Sequence, residues 1–542
     1  MKKPTFKKPA SAATDPASGG RTGTRTTQSL LAAAVVLAAV LGIAELRPPA
    51  TAPGVDAAGA ATTAEVERTA LVCPQPIQGL TGSTALTAFA PPGAKAAGGT
   101  GSVSDVIPPP AAPTTAPSAP AGAAAAPAPS ATAPDPAAPP ADARLSLTKP
   151  GVPATAPAAN GDNAPGSAAV ASGGYAPGFT VSQTTTVTDQ RGLGMSGVTC
   201  ATAGTSFWFA GASTAGDRTD YVSLTNAEST AAVVDLKLSG DKGPIENDAA
   251  NGITLAPGTS QAVLLSTLVK DKITDLAVHV VARSGRIGAA LHAADGNKGA
   301  DWVPVSADPA PTQVLPGLPA DTASARLVVA ADPRDDADLK IQLSGKNGWF
   351  TPAGNETIHV KAGMVAAVDL GKITRDEVAG LRLSPTDDNH PTPIVAALRV
   401  DRATQNGKSD AAWLSGAAPV GARASIADNR GGGASTLYLT SAGEAGTVRV
   451  TASAGTGGGT PATKEVQIAA GATVGLPAPE PQGLNGTFAI TVETLSGGPV
   501  MAARMIAVTT KDVPMFTVQS LHDDRSTVKV PHAVQDPAVV VR

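Results

Sequence analysis

The residues that most often carry chemistry are scarce in this sequence of 542 residues, which has two cysteines and six histidines. Cys73 and Cys200 stand on either side of a long alanine- and proline-rich stretch. Outside the cytoplasm such a pair oxidises, and a bridge over so long a loop would stabilise the fold by about 5 kcal/mol. A redox or nucleophilic cysteine needs a partner base, and no histidine lies near either cysteine in the sequence. We therefore predict a Cys73–Cys200 disulfide.

The six histidines occupy ordinary positions rather than the spacing of a base or a metal site. They lie on the outward face of predicted strands (His279, His359), at strand ends or turns (His292, His390) and in the final tail (His522, His532). Nothing in the sequence pairs them with a nucleophile. They provide no catalytic candidate.

An acidic turn and a glycine-lysine-serine run are the remaining candidates for a metal or phosphate site. The turn holds four aspartates: Asp332, Asp335, Asp336 and Asp338. Calcium prefers oxygen-rich loops, but the spacing and terminal glutamate of an EF-hand are absent. Gly407-Lys408-Ser409 is similar to the end of a phosphate-binding loop, but the first glycine is missing. The sequence therefore predicts no catalytic, cofactor-binding or metal-binding residue, and no enzyme.

Three tryptophans leave a binding hypothesis open. Trp208, Trp302 and Trp413 each belong to an aromatic strand that opens or closes a repeat. Burial at a junction between sandwiches is the favoured interpretation. If the indoles are exposed beside polar groups, they could instead stack on sugar rings, which would give a glycan-contact surface.

Composition and charge restrict the class of protein. The chain has 58 glycines and 48 prolines, with 42% hydrophobic but only 3% aromatic residues, so its cores are built from Val, Leu, Ile and Ala. The net charge is −4 with both signs spread along the chain. No basic patch indicates a nucleic-acid partner. The length allows several domains.

An internal repeat is the strongest signal for the fold. Apolar and polar residues alternate in phase over three segments, which is the pattern of half-buried strands: Val234–Gly240, Leu339–Gly345 and Val448–Ala454. A second strand then leads into a turn glycine in each copy: Gly258, Gly363 and Gly471. Short strands joined by Gly and Pro turns predict a mainly β protein with three tandem immunoglobulin-like β-sandwich units.

These patterns predict the following division of the chain. A β module at 66–206 is interrupted by a disordered Ala/Pro-rich spacer at about 91–170. The sandwich units follow at 207–301, 302–412 and 413–521, and a tail occupies 522–542. Proline removes backbone donors and fixes φ, so the spacer is expected to be extended.

The N-terminal segment predicts a membrane anchor. Residues 1–28 are basic and would remain in the cytoplasm. Residues 29–46, which contain the uncharged apolar run Leu30–Ala44, would span the membrane as a signal-anchor, and 47–65 would be a linker. The alternative is a cleaved signal peptide and a secreted protein, although Pro53 follows the small-residue site Ala50-Thr51-Ala52. We expect a single-pass protein of the cell membrane with its C-terminal part extracytoplasmic.

Several runs of residues resemble a known family. They are Leu71-Val72-Cys73-Pro74, Phe207-Trp208-Phe209-Ala210-Gly211, Gly285–His292 and Asp301-Trp302-Val303-Pro304. Their order is similar to that of an exported, membrane-anchored actinobacterial family catalogued as domain of unknown function 5719. That resemblance covers most of the chain from Val66 to Leu521 and implies no activity and no functional residues.

Three functional hypotheses follow. The favoured one is a non-enzymatic structural or interaction role at the cell envelope, with the membrane and an envelope protein or cell-wall polymer as partners. The second is a set of glycan-binding modules that assist the assembly of cell wall or exopolysaccharide. The third is a hydrolase hidden between Cys73 and Cys200, which would need a pocket with two close titratable groups.

Overall fold

A computed structural model describes residues 62–79, 81–93, 98–108, 142–159, 161, 163–188, 193–296, 298–403 and 406–530. One unit comprises Ala64–Val528, and a second comprises Met1–Thr63 with Lys529–Arg542. The predicted basic segment (1–28), membrane segment (29–46) and linker up to residue 61 lie outside the described residues. Among the residues that are described, no helix is long and apolar enough to cross a bilayer.

The protein is mainly β, and its strands in Ala64–Val528 group into successive modules. A short strand, β1 (Thr62–Glu65), precedes them. Module A (68–199) is built from β2 (Arg68–Cys73), β3 (Gly82–Phe89), β4 (Gly101–Asp105), β5 (Leu145–Ser146), β6 (Ala154–Pro157), β7 (Ser167–Ser172), β8 (Thr180–Val187) and β9 (Gly194–Thr199). Its two sheets have the antiparallel orders β2-β7-β4-β5 and β6-β3-β8-β9.

Module B (206–303) repeats this plan. Its elements are β10 (Ser206–Ala212), β11 (Tyr221–Asn226), β12 (Ala232–Gly240), β13 (Gly243–Ile245), β14 (Ile253–Leu255), β15 (Thr259–Leu264), the one-turn helix α1 (Leu265–Leu268), β16 (Leu276–Ser284), β17 (Gly288–Ala294) and β18 (Ala300–Val303). One sheet has the order β10-β16-β12-β13, with β14 also on β12, and the other has the order β15-β11-β17-β18.

Module C (313–415) has the same order of pairing. Its strands are β19 (Gln313–Leu318), β20 (Ser324–Ala331), β21 (Ala337–Gly345), β22 (Gly348–Phe350), β23 (Thr357–Val360), β24 (Val365–Asp369), β25 (Ala379–Pro385), β26 (Ile394–Ala403) and β27 (Ser409–Ser415). The sheets are β19-β25-β21-β22, with β23 on β21, and β24-β20-β26-β27.

Module D (423–521) completes the series. Its strands are β28 (Arg423–Asn429), β29 (Ser435–Ser441), β30 (Gly446–Ala452), β31 (Gly458–Thr460), β32 (Ala462–Ile468), β33 (Thr473–Pro477), β34 (Gln482–Asn485), β35 (Phe488–Gly497), β36 (Val500–Thr510) and β37 (Val513–Leu521). The sheets are β28-β35-β30-β32 and β33-β29-β36-β37, with β31 and β34 paired beside them. A final strand, β38 (Thr527–Val530), pairs with β1.

Each module is a sandwich because the alternation along its strands buries one face of each sheet. In β21, Leu339, Ile341 and Leu343 are buried, whereas Lys340 between them is exposed. Buried residues from both sheets of module B meet in one core that includes Phe209 of β10 and Leu224 of β11. The predicted half-buried strands thus form two-layer packing.

The strand order identifies four copies of one plan within the described residues, and it does not confirm the immunoglobulin-like assignment. In every module the first strand pairs with the third-from-last strand, and the second strand lies in the opposite sheet. In immunoglobulin domains the first two strands share a sheet. The predicted β module at 66–206 is itself a sandwich of this plan rather than a separate type.

The predicted spacer at 91–170 contains ordered strands. Strands β4, β5 and β6 and most of β7 lie inside it, and only the segment 109–141 with a few shorter gaps falls outside the described residues. Small Ala and Ser side chains suit β7, which packs between β2 and β4. Pro157 is tolerated because β6 is an edge strand, where a missing donor costs no ladder bond.

The predicted boundaries at 301/302 and 412/413 are also displaced. Trp302 lies in β18, opposite His292 of β17, and Trp413 lies in β27, opposite Arg399 of β26. The aromatic strands therefore close modules B and C rather than opening the next unit. The turn glycines of the repeat, Gly258, Gly363 and Gly471, all have positive φ, of 64°, 69° and 66°, as the pattern predicts.

The modules join in a closed ring through their last strands. Strand β9 contacts β18, β18 contacts β27, β27 contacts β37, and β37 returns to β9. The first strands of modules B, C and D also contact the next module around the ring: β10 lies on β20 and β26, β19 on β29 and β36, and β28 on β3 and β8. Modules A and B are joined nearby by a hydrogen bond of 3.2 Å from the Gln75 amide to Ser223 Oγ.

Candidate functional site

The two cysteines form a disulfide that fastens module A. Cys73 ends β2, Cys200 directly follows β9, and their Cα atoms are 4.5 Å apart. Both residues are buried. The bridge therefore ties the first strand of the module to its last strand, and neither sulfur is available as a nucleophile.

The tryptophans do not form an open platform for a sugar. Trp302 and Trp413 are only 1% and 0% exposed. Trp208 is half-buried, and its ring stacks on the imidazole of His279 with centroids 3.7 Å apart. These three rings therefore do not provide an exposed stacking surface.

Two aspartates of the last strands meet the other modules at the ring. Asp410 of β27 accepts hydrogen bonds through Oδ2 from the amides of Met195 in module A (3.1 Å) and Phe516 in module D (2.9 Å). Its Oδ1 accepts from the Ala411 amide at 2.9 Å. One carboxyl group therefore joins three modules.

Asp301 of β18 makes the equivalent connection for module B. Its Oδ1 accepts from the Gly197 amide of module A and from the Trp302 amide, both at 2.8 Å. Burial raises the pKa of Asp301 well above its usual range, and the nearby Asp410 adds to that rise. Burial also raises the pKa of Asp410, to about 7, against the lowering effect of the amides that bind it. We call this pair the central acids.

A buried arginine of module D lies near the central acids. Arg504 of β36 donates through Nη1 to the Asp428 carbonyl oxygen at 2.6 Å and through Nη2 to Gln519 Oε1. Burial lowers the pKa of its guanidinium to about 10, although the carboxylates of Asp428 and Asp301 oppose that change. The central acids therefore have a buried positive charge in their neighbourhood.

The central acids have the pKa shifts of catalytic groups but lack access to a substrate. Asp301 and Asp410 are both 0% exposed. A general acid or base must reach the proton that it transfers. Their hydrogen bonds join backbones of different modules, so we assign them to the closure of the ring.

The hydrolase hypothesis needs a pocket with two close titratable groups between the cysteines. Module A contains a cavity of about 260 Å³, lined by Pro76, Ile77, Thr81, Gly82, Thr84, Gly161, Thr185 and Val187. Among the described residues, no titratable side chain lines it. Two close titratable groups are therefore not brought together there.

His292 is buried between modules A and B without a protein partner for either ring nitrogen among the described residues. Its ring meets Trp302 edge-on, with centroids 5.0 Å apart, and Tyr221 at 5.2 Å. Burial lowers the pKa of His292 to about 3, and the charge of Arg218 lowers it further. The imidazole is therefore neutral in the folded protein.

We expect His292→Leu to reduce the sensitivity of the fold to acid. In the unfolded chain the imidazole takes up a proton below about pH 6.5, whereas in the folded state it does so only near pH 3. The folded state therefore loses stability as the pH falls through this window, by about 2 kcal/mol between pH 7 and pH 5. Urea denaturation at both pH values should show a smaller difference for the variant by that amount.

The matched control is Leu291→Ala, which alters a buried position of the same strand, β17, without removing a titratable group. It should lower stability at both pH values and leave the pH 7 to pH 5 difference as it is in the unchanged protein. An equal acid sensitivity of His292→Leu and the unchanged protein would contradict the assignment of a buried neutral imidazole.

A charged cleft lies between modules B and C. It has a volume of about 290 Å³ and is lined by Arg218, Lys298, Arg326 and Arg399 together with Asp217, Asp275 and Asp295. The buried Trp413 forms part of its wall. Positive and negative groups therefore line the same cleft.

The arginines of the cleft are fixed by ion pairs. Arg399 binds Asp295 at 2.5 Å and Asp401 at 2.8 Å. Arg326 binds Asp275 at 2.6 Å across the boundary between the modules. These pairs hold the guanidinium groups in defined positions.

Arg218 is fixed in the same way. It binds the buried Asp220 at 2.6 Å. The guanidinium carbons of Arg218 and Arg399 lie 5.4 and 5.5 Å from the ring centroid of Trp413. At these distances both cations are attracted to the π-electrons of the indole.

Sequence reasoning did not single out the central acids or the arginines of the cleft. A usable signal exists for the acids, since Asp301-Trp302 and Asp410-Ala411-Ala412-Trp413 place an aspartate ahead of the tryptophan in two last strands. The acidic turn in module C pairs its charges locally, with Asp338 on His359 at 2.7 Å and Asp332 on Arg334 at 2.8 Å. No cluster of ligating side chains suited to a metal occurs in the described part of the chain.

The fold and these sites define a protein of four β-sandwich modules, closed in a ring by buried carboxyl groups. The model of a family described as a family of unknown function (DUF5719) matches residues 155–479, more than half of the chain. The chain therefore belongs to that family, as its sequence motifs indicate. No curated protein matches it. No solved structure matches it either.

Proposed function

We propose that this protein is a non-enzymatic structural or interaction component of the cell envelope, anchored in the membrane by residues 29–46. The observation that carries the proposal is the buried Cys73–Cys200 disulfide. Such bridges form and persist in oxidising compartments rather than in the cytosol. The apolar segment behind a basic flank supplies a route of export in the sequence.

The arrangement of titratable groups favours a passive role. The central acids are fully buried and are used to join modules. The ring of sandwiches presents edge strands and surfaces between modules, which suits contact with an envelope protein or a cell-wall polymer. Nothing in the charge pattern favours nucleic acid.

Cell fractionation tests the location directly. In cells that produce the full chain, it should sediment with the membranes after a carbonate wash, and protease added to intact protoplasts should degrade it. A soluble cytosolic protein with free thiols would contradict the proposal. A shortened chain in the medium would favour the alternative of secretion after signal cleavage.

Capture from the envelope tests the role. The purified full chain in detergent should retain a protein or a polymer from solubilised envelope fractions and cell-wall sacculi. Consistent failure to retain anything from either fraction would overturn the interaction role.

A second candidate function is binding of an envelope glycan. The charged cleft between modules B and C favours it, since that cleft combines hydrogen-bond donors and acceptors at a fixed geometry. The tryptophans no longer support this candidate as a stacking surface, because two of the three are fully buried.

A further inference from the structure

We propose that the cleft between modules B and C is a binding site for one sugar unit of a hydroxyl-rich glycan, with Lys298, Arg218 and Trp413 as hydrogen-bond donors. This inference rests on the second candidate function and names its site. The argument uses the size of the cleft, its charge balance and its unused donors.

The cleft has fixed walls and a volume close to that of a small-molecule site. Its volume of about 290 Å³ lies just below the range of about 300–1,000 Å³ for small-molecule sites. Residues of two modules form its walls, and the ion pair between Arg326 and Asp275 crosses from one to the other. Arginines held by carboxylates lose little freedom when a ligand binds, and such preorganised groups favour affinity.

Two of the residues that line this space have donors without a hydrogen-bond partner among the described residues. Trp413 is 0% exposed and lines the cleft, and its Nε1 has no hydrogen-bond partner among the described residues. Within the same part of the chain, Arg218 uses Nε and Nη2 on Asp220 and the Gly211 carbonyl, while Nη1 makes no hydrogen bond. A buried N–H group without a partner costs free energy, which a ligand oxygen would recover.

The balance of charge selects the chemistry of the ligand. Four cationic side chains line the cleft beside three aspartates. A simple anion would be repelled by the carboxylates, and a simple cation by the guanidinium groups and Lys298. A sugar hydroxyl both donates and accepts hydrogen bonds, so it can bind the aspartates and the donors at the same time. A polyhydroxylated ring therefore matches the cleft better than an ion does.

Saturation-transfer NMR with the full chain in detergent tests the proposal. The probes are the methyl glycosides of glucose, galactose, mannose, arabinose and N-acetylglucosamine, and co-sedimentation with cell-wall sacculi provides a polymeric arm. At least one glycoside should bind, with a dissociation constant on the order of millimolar for a single sugar unit.

Two variants locate the binding. Trp413→Phe removes the unused N–H but keeps the ring under Arg218 and Arg399, and Lys298→Ala removes an exposed cation at the rim. Each should weaken binding roughly fivefold, the loss of one hydrogen bond. Trp302→Phe and Lys346→Ala are the matched controls, since they alter a buried indole and an exposed lysine outside the cleft.

The possible outcomes separate the site from the function. Binding that the two cleft variants do not weaken would overturn the assignment of the cleft but leave glycan binding in place. Binding of no glycoside and no sacculi would overturn both. Displacement of the sugar by millimolar inorganic phosphate, with phosphate binding more tightly, would overturn the argument from charge balance.

Discussion

Loss of the Cys73–Cys200 bridge should lower the free energy of unfolding by about 4–5 kcal/mol. The two cysteines are 127 residues apart in the chain, and a loop of that length corresponds to about 5 kcal/mol in the chain-entropy description. The test is urea denaturation of the double variant Cys73→Ala, Cys200→Ala, followed by circular dichroism. Hydrogen exchange of β2 and β9 should rise first, because the bridge joins the ends of these strands.

Reduction supplies the control for this expectation. Dithiothreitol should destabilise the unchanged protein to about the level of the double variant and should have no effect on the variant itself. A double variant as stable as the unchanged protein would show that module A does not depend on the bridge.

The variant Asp410→Ala should open the ring, with a loss of about 3–5 kcal/mol. Its carboxyl group accepts hydrogen bonds from the backbone amides of Met195, Phe516 and Ala411. Each buried amide left without a partner costs roughly 1–3 kcal/mol. Denaturation midpoints and hydrogen exchange in β9 and β37 would measure the effect. Asp388→Ala, at an exposed turn, should change stability by less than about 0.5 kcal/mol.

The same residue predicts a dependence on pH of known sign. The pKa of Asp410 is raised by burial to about 7 in the folded state, against about 3.9 in the unfolded chain. The stability that it contributes is present below pH 3.9 and is lost as the pH rises towards 7, by at most about 1.4 kcal/mol per pH unit.

Asp410→Asn isolates this contribution from those of other groups. His292 and His279 have lowered pKa values, of about 3 and about 4, and they act in the opposite direction over part of this range. The free energy of unfolding of the unchanged protein, minus that of Asp410→Asn, should therefore fall between pH 4 and pH 7. A difference that is constant across this range would show that Asp410 is ionised throughout.

The sequence predicts the strands of modules B, C and D well because their periodicity is strong. Leu339–Gly345 alternates without interruption, and the structure has β21 there. The turn at Gly363 is predicted for the same reason, since the repeat places a glycine where φ is positive. Local pattern determines these features, and local pattern is visible in one sequence.

Module A shows where local pattern fails. Ser167–Ser172 is rich in alanine and serine and has no strong apolar alternation, but as β7 it pairs with β2 and β4. The strand is stabilised by pairing with β2 and β4, which lie about 60 to 100 residues away in the sequence. The sequence does not predict the contact between the central acids for a related reason. Asp301 and Asp410 are brought together only when separate modules pack. No spacing within one module reveals that contact.

The contact between β37 and β9 also limits the order in which the protein can fold. Strand β9 belongs to the first module and β37 to the last, so this pair forms only after nearly the whole polypeptide has been synthesised. Until then Asp410 lacks the Phe516 amide that it binds in the finished protein, and module A presents an uncovered surface. We expect the nascent chain to need a chaperone at this stage, since such half-assembled intermediates aggregate readily.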